Sequence, residues 1–244
     1  TMDNLSSRAS QKALGLWTSY TQLGEVWDEA DDLEKDRLLQ LQAQHAGAYL
    51  HAKPGGGCRI SSGAMKLAIQ LRNGMDVEAE EFKCPQCPDG WCDSKGKHAL
   101  CSCTRLAGER WARHNEERDA MAAVARYGNQ QVRMEVGVLG TASREADLLV
   151  VAGSYDGRDQ VVDVAITFGG KTSDKILVDP AANEDANRHA ENYADNTKNA
   201  KFKGPVESDG TMEYIPVVLT HLGAINTQGA QFLSGLAGKA HKRR

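Results

Sequence analysis

No stretch of this chain approaches the roughly 18 consecutive apolar residues that would span a bilayer. The N-terminus also carries no apolar signal-peptide core. These absences exclude a membrane-spanning helix and set the expectation of a nuclear or otherwise intracellular protein with no membrane partner. Thr1 before Met2 reads as a cloning remnant or as the edge of a piece cut from something larger. Net positive charge is missing too. Twenty-nine Lys+Arg against 33 Asp+Glu leave a formal charge of −4, which counts against a dedicated nucleic-acid binder, usually basic overall. Local charge matters more. Lys198, Lys201 and Lys203 cluster, and the chain ends Lys239, His241, Lys242, Arg243, Arg244. That tail either follows a phosphate backbone or is a solvated end.

The composition, 25% charged and 41% hydrophobic, is that of a folded chain and not a disordered one. Its 244 residues leave room for one core domain and a smaller module. Five of the 6 cysteines fall between Cys84 and Cys103. Disulfide scaffolding does not predict such crowding in a chain without a secretion signal, whereas metal binding does. Cys84-Pro85-Gln86-Cys87 holds two thiolates at the spacing of a zinc knuckle, and His98 with Cys103 or Cys101 can complete a closed tetrahedral Zn²⁺ site. Cys92 is a fifth candidate, and a four-cysteine site is a further option. No open coordination position is implied, so this zinc is structural.

Upstream, scattered Leu and Trp (Leu5, Leu14, Leu16, Trp17, Leu23, Trp27) suggest one or two short helices. Asp31 or Asp32 caps a predicted helix through Leu33, Leu38, Leu41 and His45. Lys53-Pro54-Gly55-Gly56-Gly57 reads as a turn. A helix from Ser61 or Ser62 stops at Asn73-Gly74. These helices supply packing, with His45 and His51 at a surface or interface and Cys58 a buried thiol.

Downstream, a helix over 110–127 carries Arg113, His114 and Asn115 in one turn. His114 reads as a packing or hydrogen-bonding residue. Glu117 and Arg118 are either an ordinary solvated face or, for the arginine, a phosphate-facing group. Strands follow at 132–138, 147–152 and 160–167. The last two are nearly continuous apolar runs, which suit a sheet interior. Asp163 sits between Val162 and Val164, where a carboxylate is costly unless paired, hydrogen-bonded or bound to metal. Asp147 opens the preceding strand and Glu135 lies on the one before. Three such acids can form the hard, oxygen-rich site that Mg²⁺ or Mn²⁺ takes. Against that, Asp147 can cap a turn and Glu135 can face solvent in the alternating Val132-Arg133-Met134-Glu135-Val136. A glycine pair and an irregular stretch with Lys171 and Lys175 lead to a helix starting near Asn183 or Asp185. On it, Lys198 and Lys201, three apart, are expected to share a face. A strand over 214–220 with Pro216 at an edge or bulge and a helix over 228–240 close the chain. Acids holding an ion, with a lysine to orient water or offset developing charge, are equipment for phosphodiester hydrolysis.

In this order the motifs resemble a known family. The stretch from about His45 to Leu236 is similar to the C-terminal region of site-specific non-LTR retrotransposon proteins. There a Cys-His zinc motif precedes a restriction-like endonuclease of the PD-(D/E)xK superfamily. The likeness rests on the connector over 44–74, Cys84 to Cys87, the segment around His98, Arg113-His114-Asn115, the run ending at Asp147, Val161 to Thr167, Lys198 to Phe202, and Tyr214 to Gly223. It implies an α/β fold with a restriction-endonuclease-like core (helix, three-stranded meander, helix, strand, helix), a helical N-terminal part over 1–80, a zinc module over 81–108 and a nuclease domain over 109–244. It further implies nicking of DNA, branched or target-site duplex, with Asp147, Asp163, Lys198 and secondarily Glu135 and Lys201 at the site. RNA, or a reverse transcriptase domain in a longer parent, would be further partners. The chain departs from the pattern in three places. Ala146 precedes Asp147, no lysine follows Asp163 at the D/E-x-K position, and Phe202 stands where a tyrosine is usual. The alternative expectation is a nuclease-fold module that binds nucleic acid or a protein without cutting, and a third is a domain using zinc for stability alone.

Overall fold

The computed structural model describes residues 25–43, 46, 61–84, 86–87, 90–94, 96, 98, 103–137, 146–153, 156–167, 186–208 and 210–241. The expectations for residues 1–24, His45, His51, the 53–57 turn, Cys58, Cys101, Lys171, Lys175, the helix start near Asn183 and the Lys242–Arg244 tail lie outside the described residues.

Among the described residues, helices α1 (Asp32–Leu41) and α2 (Ser62–Arg72) precede the core, and each starts where a polar side chain replaces a missing backbone partner. Helix α1 begins after Asp31, whose carboxylate accepts the Glu34 N–H at 2.8 Å. Helix α2 begins after Ser61, whose hydroxyl accepts from the Ala64 N–H at 3.2 Å. A two-residue hairpin, β1 (Phe82–Lys83) with β2 (Trp91–Cys92), supports the cysteine cluster. Helix α3 (Ala107–Tyr127) follows it.

The core is a sheet in the order β3-β4-β5-β6 with helices on both faces. Strands β3 (Val132–Val136), β4 (Ala146–Val150) and β5 (Asp159–Thr167) run as an antiparallel meander, and β6 (Met212–Thr220) returns parallel to β5. The apolar runs of β4 and β5 are interior, as their composition requires. One face packs Leu148, Val150, Val162 and Val217 against Met121 and Ala122 of α3 and Phe232 and Leu236 of α5 (Thr227–His241). The other packs Leu149, Val161 and Tyr214 against Phe202 and Val206 of helix α4 (Arg188–Glu207).

Helix α4 winds as an α-helix over Arg188–Tyr193, as a π-helix over Ala194–Lys203 and again as an α-helix over Gly204–Glu207. Its buried residues are Ala190, Ala194, Lys198, Phe202 and Val206, every fourth position. On a regular α-helix a four-residue step drifts by about 40°, so such a row would spiral off the sheet. The wider π winding offsets the drift and keeps the row on one face.

Strand β6 is one edge of the sheet, in keeping with Pro216, and a side chain covers it. Buried Asn226 donates to the Pro216 carbonyl at 3.0 Å and accepts from the Val218 N–H at 2.8 Å, replacing a neighbouring strand. Asn226→Ala is expected to lower stability by about 1–3 kcal/mol for each backbone group it leaves unsatisfied, read as a lower urea midpoint with an unchanged slope.

Candidate metal centre and carboxylate site

Cys84, Cys87, His98 and Cys103 bring one donor atom each to within 4.8 Å of one another. The Sγ atoms of Cys84 and Cys103 are 3.6 Å apart, and those of Cys87 and Cys103 are 3.2 Å apart. Tetrahedral zinc with Zn–S near 2.3 Å calls for about 3.8 Å between sulfurs, so little adjustment is needed. The local backbone is shaped to the cluster. A Cβ on Gly90 would fall 2.7 Å from Cys87 Cβ and 2.9 Å from His98 Nε2, so only glycine fits there. The backbone N–H of Gln86 leads the interactions that lower the Cys84 thiol to about 6, while its hydrogen bond with Cys103 leads those that raise Cys87 to about 11. A thiol that ionises readily at Cys84 beside a more reluctant one at Cys87 suits a cation that completes deprotonation on binding. The set is of the structural Cys₃His type, suited to zinc. Cys92, fully buried, packs in the same cluster without belonging to the four-donor set.

The carboxylates lie on the sheet. Asp163 is 4% exposed, flanked by buried valines. Lys198 on α4 donates from Nζ to Asp163 Oδ1 at 2.9 Å and Oδ2 at 2.8 Å, and the Tyr214 hydroxyl donates to Oδ2 at 2.9 Å. Lys198 is equally buried, so the two charges are matched inside the protein.

One step past the last paired residues of β4 and β5, Leu148 and Val162, the ladder sets Asp147 level with Asp163. Here Ala146 packs on the α4 side of the sheet while Leu148 packs on the α3 side, so the strand reverses its faces at Asp147. Its carboxylate enters the strand gap, where Oδ2 accepts the Val164 N–H at 2.6 Å. His114 of α3 approaches the same oxygen with Nε2 at 3.3 Å and the Val164 carbonyl at 3.1 Å. Two acceptors facing Nε2 put the proton there. Burial pushes Asp147 up, but the His114 and Val164 hydrogen bonds and the charges of His114 and Lys198 outweigh it and hold the carboxyl below its ordinary value. The hydrogen bond to Asp147 likewise raises His114, against the opposing effect of burial.

Glu135, across from Asp147 in the register of β3, sits at a φ of 54°. That left-handed turn reverses β3 as well: Met134 packs on the α3 side and Val136 on the α4 side. The Glu135 carboxylate is half exposed and pairs with Arg118 Nη1 at 2.6 Å. Arg118 is therefore neither solvated nor free for a phosphate; it is buried and held by Glu135 and by Asp119 at 2.9 Å. The shared face expected for Lys198 and Lys201 is corrected too. The π winding turns Lys201 outward, 5.2 Å over the Phe202 ring, while Lys198 points into the sheet.

The structure thus joins Asp163 with Lys198 and sets Asp147 beside them, but leaves Glu135 and Lys201 apart. Among the described residues, only the Cys₃His set brings three or more potential metal donors within 4.8 Å of one another. One contributor was missed in the sequence: Tyr214 opens an apolar strand, where a phenol needs a partner. His114, read there as a packing or hydrogen-bonding residue, is the group that meets Asp147. No helix among the described residues is long and apolar enough to cross a membrane.

Two outcomes follow from these geometries. Cys84→Ser or Cys103→Ser should abolish stoichiometric zinc retention after dialysis and, in Co²⁺-loaded protein, the thiolate charge-transfer absorption of a tetrahedral site. The His114–Asp147 pair should contribute stability in a defined pH window. The raised His114 contributes fully below its ordinary 6.5 and fades as pH climbs through its folded value. The lowered Asp147 contributes fully above 3.8 and fades as pH falls through its own folded value. The urea-midpoint gap between wild type and His114→Gln should therefore be widest between those limits and shrink on both sides.

Compared with known proteins, the chain matches no protein-family model and no curated protein.

Proposed function

We propose that this chain is a zinc-stabilised module on a restriction-endonuclease-like core, of the retrotransposon type it resembles, that binds nucleic acid without cutting it. In this reading 1–80 is a helical connector, 81–108 the zinc module and 109–244 the core. The observation that carries the non-cutting part is the use made of the acids. Both oxygens of Asp163 accept from Lys198 and Tyr214, and Glu135 is engaged by Arg118. Such a network is complete as an ion-pair arrangement, and a buried pair of this quality resists exchange of its amine for a hydrated cation. The meander followed by a parallel fourth strand, with a helix on each face, supports the core assignment.

A second reading, Mg²⁺- or Mn²⁺-dependent nicking, is favoured by one specific observation. Asp147 stands level with Asp163, and the charge of Lys198 from the following helix acts on both. In that reading Asp147 and Asp163 would hold the ion. The ion would activate water and offset charge on the phosphorane-like transition state. Lys198 would then be released from Asp163 to face the developing charge.

One experiment separates the two. Supercoiled plasmid and branched DNA are incubated with the protein, with and without Mn²⁺, alongside Asp147→Ala and Asp163→Ala. The first reading expects saturable binding indifferent to divalent ions and no nicking; absence of binding overturns it. The second expects Mn²⁺-dependent nicking that falls at least about 100-fold in each variant.

A further inference from the structure

A cavity of about 700 Å³ lies away from both sites, between α1, α2, the first half of α3, the end of β6 and α5. Its walls are mainly aliphatic, with Leu41, Leu71, Ile166, Leu219 and Leu233 among them. Two charged side chains one turn apart on α3, Arg113 and Glu117, also line it. Arg72 and Thr220, also on its wall, are engaged by the protein. Arg72 donates Nη1 to the Ala46 carbonyl at 2.8 Å, and the Thr220 hydroxyl accepts from the Ala224 N–H at 3.1 Å. Arg113 differs. Its Nε is buried and, among the described residues, has no hydrogen-bond partner. Glu117 is held above the ordinary carboxyl value by burial, with the Arg113 charge acting in the other direction.

An unmade hydrogen bond at a buried Nε of a partly buried arginine calls for an explanation, and a group bound in the cavity supplies one. The cavity volume is in the usual range for a small-molecule site, about 300–1,000 Å³. The lining defines the chemistry: acceptors for a planar guanidinium, donors for a carboxylate one turn away, and a flat apolar body between aliphatic walls. A free carboxylate or phosphate head would suit Arg113 but would meet the charge of Glu117. Guanine meets both requirements, because O6 and N7 accept from arginine and N1–H and the 2-amino group donate to a carboxylate. We propose that this cavity is a pocket for a single unstacked guanine base, read by Arg113 and Glu117. As a reader of DNA or RNA the pocket rests on the nucleic-acid-binding reading above, and a base would enter it from a single strand or flipped out of a duplex.

The test uses the full chain. Saturation-transfer NMR and calorimetry with GMP, AMP, CMP and UMP are run on wild type, Arg113→Ala, Arg113→Lys and Glu117→Gln, with exposed Trp111→Ala as a control. GMP is expected to bind saturably and at least about tenfold more tightly than the other three, within the discrimination one bidentate contact gives. Arg113→Ala and Glu117→Gln should each lose at least about tenfold. Arg113→Lys keeps the charge, and so guards against a folding artefact, but lacks the planar fork and should also lose affinity. Trp111→Ala should not. Absence of GMP saturation, equal binding of all four nucleotides, or unchanged binding in the Arg113 and Glu117 variants would overturn the proposal. A parallel arm compares a single-stranded oligonucleotide containing one guanine with a fully paired duplex. Retained GMP binding with no oligonucleotide binding would keep the pocket and sink the nucleic-acid reading.

Discussion

A carboxylate in the middle of a valine strand is the constraint from which the architecture of this core follows. Asp163 cannot reach water from β5, so its charge must be met inside the protein. Lys198 and Tyr214 meet it, and each belongs to a different element, so the ion pair also fixes where α4 and β6 lie against β5. The rest of α4 is shaped accordingly. A lysine in a buried row must keep the same face as the alanines and phenylalanine around it, and the π winding achieves that over Ala194–Lys203. Tyr214 is held at its backbone as well, by Glu207 from the end of α4 and by Gln228 from α5. The cost of burying one charge is thereby spread over three elements that the hydrophobic clusters alone would orient less narrowly.

Much of this was legible in the sequence, for identifiable reasons. Continuous apolar runs bounded by turn residues located the interior strands, and the valines around Asp163 forecast a buried partner. Lys198, which the resemblance placed at the site, is that partner. The cysteine spacing located the metal cluster because thiolate geometry leaves few alternatives. What stayed hidden depends on backbone geometry that residue types do not encode. Glu135 reads as the outward residue of an alternating strand until its φ of 54° reverses the strand and aims it at Arg118. Lys198 and Lys201 read as neighbours on an α-helix, and only the wider winding separates them. Glu117 and Arg118 read alike as a solvated face, yet one lines a cavity and the other is buried in an ion pair.

The two acid-or-thiol centres answer the same question, how to hold charge out of water, in opposite ways. The Cys₃His cluster gathers soft donors whose thiolate charges would repel, and a cation at its centre would offset that repulsion. The carboxylates of Asp147 and Asp163 are satisfied by an amine, a phenol, an imidazole and a backbone N–H supplied by the chain. For the first, metal affinity and folding are the same free energy. For the second, a divalent ion would have to outcompete an internal lysine, so affinity there is set by how readily Lys198 gives up Asp163.

These centres are mechanically connected. Cys103 ends the metal cluster, and α3 starts four residues later, after one tight turn. Arg110, in the first turn of α3, donates back to the Cys103 carbonyl, so the cluster clamps the N-terminal end of the helix. The same helix then delivers Arg113 and Glu117 to the cavity, His114 to Asp147 and Arg118 to Glu135. A rod clamped at one end transmits displacement along its length. Loosening the cluster would therefore disturb the aim of His114, eleven residues from Cys103, before it disturbed the Asp163–Lys198 pair, which draws no group from α3. A metal held by this cluster would bear on the sheet through this helix, and the residues of α3 that face the sheet are the ones whose geometry depends on it.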